Sequence, residues 1–165
     1  QMRLTILFFL VMLYQFDAFA QIFGGNDPIR FRSDKATYEG NTTILVGSVD
    51  VVQGPARIKS DTMTIFRSNP TVSDGNDKLG AISRIEAIGN FHYTTPQNDV
   101  KGTRGVYERD KGTITVLGNV KVKQPGGNTA STDRLVYNIE TETIRFSGEC
   151  RGEDCSGRPT IRFGN

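Results

Sequence analysis

Catalysis needs groups held within hydrogen-bond reach of one another, typically a nucleophile with a base, or two carboxylates of unequal pKa. This chain is poor in such groups. Its one histidine, His92, stands between Phe91 and Tyr93, at the outward position of an alternating strand, where a solvated imidazole is expected rather than a base. Asp61 and Asp133 recur at matching places in Ser60-Asp61 and Thr132-Asp133, which suggests short carboxylates hydrogen-bonding at turns. One His and two neighbouring Cys give little support for a His/Cys metal site. The reading is a protein without catalytic residues, metal or cofactor, one that binds rather than an enzyme.

Cys150 and Cys155 lie in Glu149-Cys150-Arg151-Gly152-Glu153-Asp154-Cys155. In an oxidising compartment such a pair is expected to join as a structural disulfide, closing a short loop with modest stabilisation. A reactive redox pair usually has two intervening residues and a helix start that lowers a thiol pKa; this pair has four and no helix signal. Arg57, Lys59, Lys121 and Lys123 are suited to phosphate oxygens, although the plainer reading of each is a solvated cation on a wet strand face.

The elements that position these residues begin after a secretory pattern over residues 1–20. Arg3 precedes an apolar run of eleven residues, Leu4 to Tyr14, and Ala18-Phe19-Ala20 offers a cleavage site before Gln21. The run is short for a bilayer span; an uncleaved anchor is the alternative. Cleavage leaves 145 residues, Gln21 to Asn165, one ordinary domain, with a β-domain over 21–148 and a tail over 149–165 that holds the cysteines. Removing one Arg and one Asp with the signal keeps the net charge at +2, so no strong field points to nucleic acid. The absence of Trp and the abundance of Gly, Thr and Val favour strands and tight turns.

Internal repetition organises the rest. Gly47, Gly89, Gly118 and Gly148 are spaced by 42, 29 and 30 residues, and the long interval contains a turn-rich stretch from Ser68 to Lys78. Gly47-Ser48-Val49-x-Val51, Gly89-Asn90-Phe91-x-Tyr93 and Gly118-Asn119-Val120-x-Val122 share one strand pattern. Each is followed by a second strand: Ser60-Asp61-x-Met63-x-Ile65, Gly102-Thr103-x-Gly105-x-Tyr107 and Thr132-Asp133-x-Leu135-x-Tyr137. Parity places Leu45, Val49, Val51, Ile85, Ala87, Phe91, Tyr93, Ile114, Val116, Val120 and Val122 on one dry face. Arg84, Glu86, Asn90, Thr113, Thr115, Asn119, Lys121 and Lys123 fall on the wet one. A glycine recurring in mid-strand implies a bend or close backbone approach. A stack of bent antiparallel strand pairs fits, either a jellyroll or a short β-solenoid.

With Ala36-x-Tyr38, the Gly-x-Val-x-Val strands, Ser60-Asp61-x-Met63 and Thr132-Asp133-x-Leu135-x-Tyr137, the chain resembles the OstA-like family over about Ile29 to Gly148. The resemblance implies an all-β, OstA-like β-jellyroll, open at its ends, in a periplasmic protein of lipopolysaccharide export and outer-membrane assembly. Its apolar groove would hold the acyl chains of lipid A against Leu45, Val49, Val51, Ile58, Met63, Ile65, Ile85, Phe91, Tyr93, Ile114, Val116, Val120, Val122, Leu135 and Tyr137. It also implies head-to-tail oligomers and docking to LptC-like inner-membrane and LptD-like outer-membrane jellyroll domains. Strand addition would use edges such as Ile29-Arg30-Phe31-Arg32-Ser33, Thr143-Ile144-Arg145-Phe146-Ser147 or Thr160-Ile161-Arg162-Phe163. The alternative class is a secreted β-solenoid that binds polysaccharide or acts as an adhesin. Stacked exposed aromatics would then be expected, and the wet faces hold few.

Overall fold

A computed structural model describes residues 27–68, 81–148 and 157–164. The signal pattern, most of the turn-rich stretch and both cysteines lie outside the described residues. The chain forms one antiparallel sheet from β1 (Arg30–Arg32), β2 (Lys35–Glu39), β3 (Thr42–Gln53), β4 (Ala56–Arg67), β5 (Ile82–Thr94), β6 (Asp99–Glu108), β7 (Thr113–Lys123), β8 (Thr129–Asn138), β9 (Thr143–Ser147) and β10 (Thr160–Arg162). The only helical element among the described residues is a 3-10 turn, Pro125–Gly127.

Strands β3 to β8 pair in sequence order, and each is interrupted at one level by a bulge: between Val46 and Val49, Ile88 and Phe91, and Leu117 and Val120 on the odd strands. At that level Gly47, Gly89 and Gly118 have φ of 86°, 83° and 79°, and Ser48, Asn90 and Asn119 follow at 47°, 48° and 47°. Two successive left-handed residues turn each strand sharply, and glycine takes the first place because it alone reaches φ near +80° without steric cost. Bent at a shared level, the sheet folds into two facing walls. The front wall carries half-strands in the order β2-β3-β4-β5-β6-β7-β8-β9, and the back wall has β1-β3-β4-β5-β6-β7-β8-β10.

The repeated Ser-Asp and Thr-Asp pairs therefore sit in mid-strand at the bend, not at turns between strands. The hydroxyls of Ser33, Ser60 and Thr132 each donate to the carbonyl two residues on, at 2.9, 3.0 and 3.3 Å, satisfying acceptors that the interrupted ladder leaves over. The next side chain fills the space beside a glycine. Asp34 lies against Gly47, Asp61 against Gly89, Thr103 against Gly118 and Asp133 against Gly157. Asp61 also accepts from Asn90 at 2.9 Å.

The fourth bend differs from the even spacing read in the sequence. Gly148 follows β9, and Gly157, whose carbonyl accepts from the Asp133 N–H at 3.2 Å, takes the place opposite the aspartate. β10, within the segment read as a tail, pairs with β8 and completes the back wall.

Parity across the bends has a simple cause. On an odd strand two residues occupy the bulge, so Leu45 and Val49 both face inward; on β4 Ser60 and Met63 both face inward, which requires the strand to exchange faces at Asp61. The front wall departs from the dry-and-wet reading. Val106 and Thr115 are buried although they lie in the outward row with Glu86 and Val136, and Val46 and Ile88 stand exposed there at 43% and 48%.

Candidate functional site

Folding the sheet brings inward rows from both walls face to face. In the front wall Ala36, Leu45, Met63, Ala87, Gly105, Val116, Leu135 and Phe146 are in register across every half-strand. Beside them run Tyr38, Thr43, Ile65, Ile85, Tyr107, Ile114, Tyr137 and Ile144. The back wall answers with Phe31, Val51, Ile58, Tyr93, Val100, Val122, Ala130 and Ile161. Between the walls lies a slot that runs unbroken from the β1/β2 edge to the β9/β10 edge.

Of the fifteen residues expected to line a groove, all but Tyr137 are fully buried and belong to one apolar cluster, and Tyr137 packs partly buried against it. Each such aliphatic or aromatic side chain contributes about 1.5–3 kcal/mol by leaving water. The walls interlock where small residues meet large ones. A side chain at Gly105 in the front wall would overlap the ring of Phe91 in the back wall, and one at Gly102 would overlap Val116.

The slot is closed at its centre and open at its rim. Around Val51, Ile58, Met63, Phe91 and Tyr107 the free volume is only about 10 Å³. At the side away from the bends, a cavity of about 700 Å³ opens between the back-wall tips Gln53–Ala56, Thr95–Asn98 and Gln124 and the front-wall residues Tyr137, Glu142 and Ile144, within the size range of small-molecule sites. A further cavity of about 390 Å³ lies at the β1/β2 edge, lined by Phe31, Tyr38, Leu45, Ile65 and Arg67 among others. The sequence reading missed Val100, Tyr107, Gln53 and the rim residues of these openings. Val100 and Tyr107 are an odd number of residues apart and both face inward only because β6 exchanges faces at its bulge, and the rim is built by loops whose meeting depends on the fold.

Tyr93 lines the rim of the large cavity and is 7% exposed. Burial, with the nearby Tyr137 adding to it, pushes its phenol up to about 12 from 10. A phenol whose folded pKa is raised contributes stability that is fully present below pH 10 and is lost as pH rises toward 12, because the unfolded chain releases the proton first. Unfolding midpoints measured across pH 9–12 should therefore fall, and more steeply for the native protein than for Tyr93→Phe. Parallel curves for the two proteins would exclude Tyr93 as the source.

His92 faces outward on the back wall and is not simply solvated: its Nε2 lies 2.9 Å from Asp99 Oδ1. Among the described residues no further His, Cys, Asp or Glu joins this pair into a cluster that could hold a metal ion. The outer front wall holds an ion-pair network instead, with Arg84 and Arg104 both on Glu86 at 2.7 and 2.9 Å, and Arg84 and Lys111 on Glu108 at 3.4 and 3.0 Å.

Comparison with known proteins agrees with this architecture. Residues 30–143 match the family model described as LptA/(LptD N-terminal domain) LPS transport protein. The fold is similar to the crystal structure of LptH, the LptA homologous periplasmic component of the lipopolysaccharide transport device from Pseudomonas aeruginosa. The TM-score is 0.66 and the identity 20%, over 84% of this chain and 96% of that one. Among curated proteins no significant match is found.

Proposed function

The chain belongs to the family of LptA and LptD N-terminal-domain lipopolysaccharide transport proteins, and from that premise we propose that it carries lipopolysaccharide across the periplasm, with lipid A acyl chains held in the slot between its walls. The observation that carries this reading is the set of apolar rows that continue without interruption through every half-strand from one open edge to the other. Such a slot presents an alkyl chain with the same apolar lining at each step along its length, and each methylene buried contributes about 0.8 kcal/mol. Since the centre is filled by its own side chains, the acyl chains enter from the 700 Å³ rim cavity by parting the walls about the glycine bends.

The transport role is non-enzymatic. A cleaved signal peptide delivers the chain to the periplasm. Among the described residues the edge strands β1, β2, β9 and β10 each pair on one side only, which suits strand addition. Through these edges the protein joins copies of itself head to tail and docks LptC-like and LptD-like jellyroll domains, so that slots align into one path between inner and outer membrane.

The test is photocrosslinking of bound lipopolysaccharide from probes at Val49, Phe91 and Val120, with Thr64 on the outer front wall as control. Strong crosslinks from the three inward probes and little from Thr64 are expected. Crosslinks from Thr64 alone would end the slot model. Separately, light scattering should show oligomers growing with protein concentration; a strict monomer at high concentration would count against end-to-end assembly.

A further inference from the structure

Some outward cations of the sheet meet an acid and others do not. On the front wall Arg84, Arg104 and Lys111 are each paired with Glu86 or Glu108. On the back wall Arg57 is engaged by Asp50 at 2.7 Å. Toward the β10 edge, by contrast, Lys121, Lys123 and Arg162 form no ion pair among the described residues. Lys121 even stands directly opposite Lys101, an arrangement of like charges that destabilises a strand pair. The nearest acid in register is Asp99, opposite Lys123, and it is engaged by His92.

These three cations are set in a grid by the strand register. One outward row reads Lys121, Ser131, Thr160, and the next reads Lys123, Thr129, Arg162. With Val122 and Ala130 between them, they line a cleft of about 250 Å³ along β7, β8 and β10. Its end is held by a clasp: Asn128 accepts from the Gly164 N–H at 3.0 Å through its side chain and from the Gln124 N–H at 2.9 Å through its carbonyl. The tail after β10 is thereby tied to the β7–β8 turn. Two lysines, an arginine and three hydroxyl side chains line this small cleft, the donor set that recognises a phosphate dianion. The cleft holds no aromatic platform for a base or a sugar ring, and its volume suits one charged group rather than an extended polymer.

We propose that this cleft is a binding site for a phosphate group, free or as a monoester, taken up on the outer face independently of whatever occupies the slot. The phosphate can come from a sugar headgroup or from free phosphate. The probes are inorganic phosphate, glucosamine 6-phosphate and, as the control that lacks the phosphate, glucosamine. Titration into isotopically labelled protein should move the backbone amide resonances of Lys121, Ser131 and Thr160 with either phosphate compound and not with glucosamine. Similar affinities for the two assign the site to phosphate itself; a tenfold preference for the sugar phosphate assigns it to a phosphorylated headgroup. The combined Lys121→Ala, Lys123→Ala and Arg162→Ala variant should bind at least tenfold more weakly, while Lys121→Arg with Lys123→Arg retains binding. All these side chains are exposed, so the fold is expected to persist, and an unchanged amide spectrum elsewhere verifies it. Binding within twofold of native by the alanine variant, or shifts confined to other residues, would overturn the proposal. Lipid crosslinking at Val49, Phe91 and Val120 should be unchanged in the alanine variant, which separates this site from the slot.

Discussion

Replacing Phe91 by alanine should lower the free energy of unfolding by about 3–5 kcal/mol, the usual cost of emptying a buried aromatic site. Phe91 is 2% exposed and belongs to the back wall, yet its ring lies over Gly105 of the front wall. It is one of the places where the folded sheet locks onto itself, so part of the loss is the attachment of one wall to the other. Gly105→Ala attacks the same contact from the opposite side. Its new Cβ would overlap the Phe91 ring, and overpacking of this kind costs about 1–3 kcal/mol. The double variant carries the sharper expectation: once the ring is gone, the alanine methyl at 105 enters vacated space. The two losses should then fall short of additivity by an amount that measures the wall-to-wall contact. Denaturant unfolding of the four proteins checks this. Strict additivity would mean that the two residues do not meet.

Gly89→Ala is the second large effect, and Gly40→Ala is its natural control. Both glycines are left-handed, at φ +83° and +57°, so both variants incur the cost of a side chain in that conformation, about 1–2 kcal/mol. Nothing lies within 4 Å of a Cβ at Gly40, a turn between β2 and β3, whereas at Gly89 it would strike the Asp61 carboxylate. Asp61 cannot move without giving up its bond from Asn90. A further loss of about 1–3 kcal/mol is therefore expected at Gly89 alone. The bend also sets the angle between the walls, so this variant should capture less lipopolysaccharide in the crosslinking assay, while Gly40→Ala should not. Equal stability losses at the two positions would show that the aspartate yields freely and that the bend is not locked by it.

Much of this was legible in the chain before any coordinates. The repeat of Gly-polar-apolar strands and of Ser-Asp or Thr-Asp strands was visible because each is a local pattern of a few residues. The inward positions of Leu45, Val49, Phe91, Val120 and their partners followed from alternation. What the aspartates do was misread. A carboxylate beside a hydroxyl reads as turn chemistry, and only the register that sets Asp61 against Gly89, in a different strand, reveals a bend. The fourth bend was placed at Gly148 alone because the sequence carries no mark that the strand resumes at Gly157.

Sequence by itself determined the class of this protein and the facing of its side chains, since a pleated strand has a period of two and writes that period into consecutive residues. It also marked the bends of β3, β5 and β7, because two successive left-handed residues demand glycine followed by a residue such as Ser or Asn. Tertiary structure alone decided that the bends line up and close the sheet into a slot. It decided too that Phe91 meets Gly105, that Tyr93 shares a rim with Tyr137, and that Lys121, Lys123 and Arg162 gather near β10. Those outcomes depend on register between strands and on the contact of two walls. They join residues far apart in the chain, and no short window of sequence carries the information.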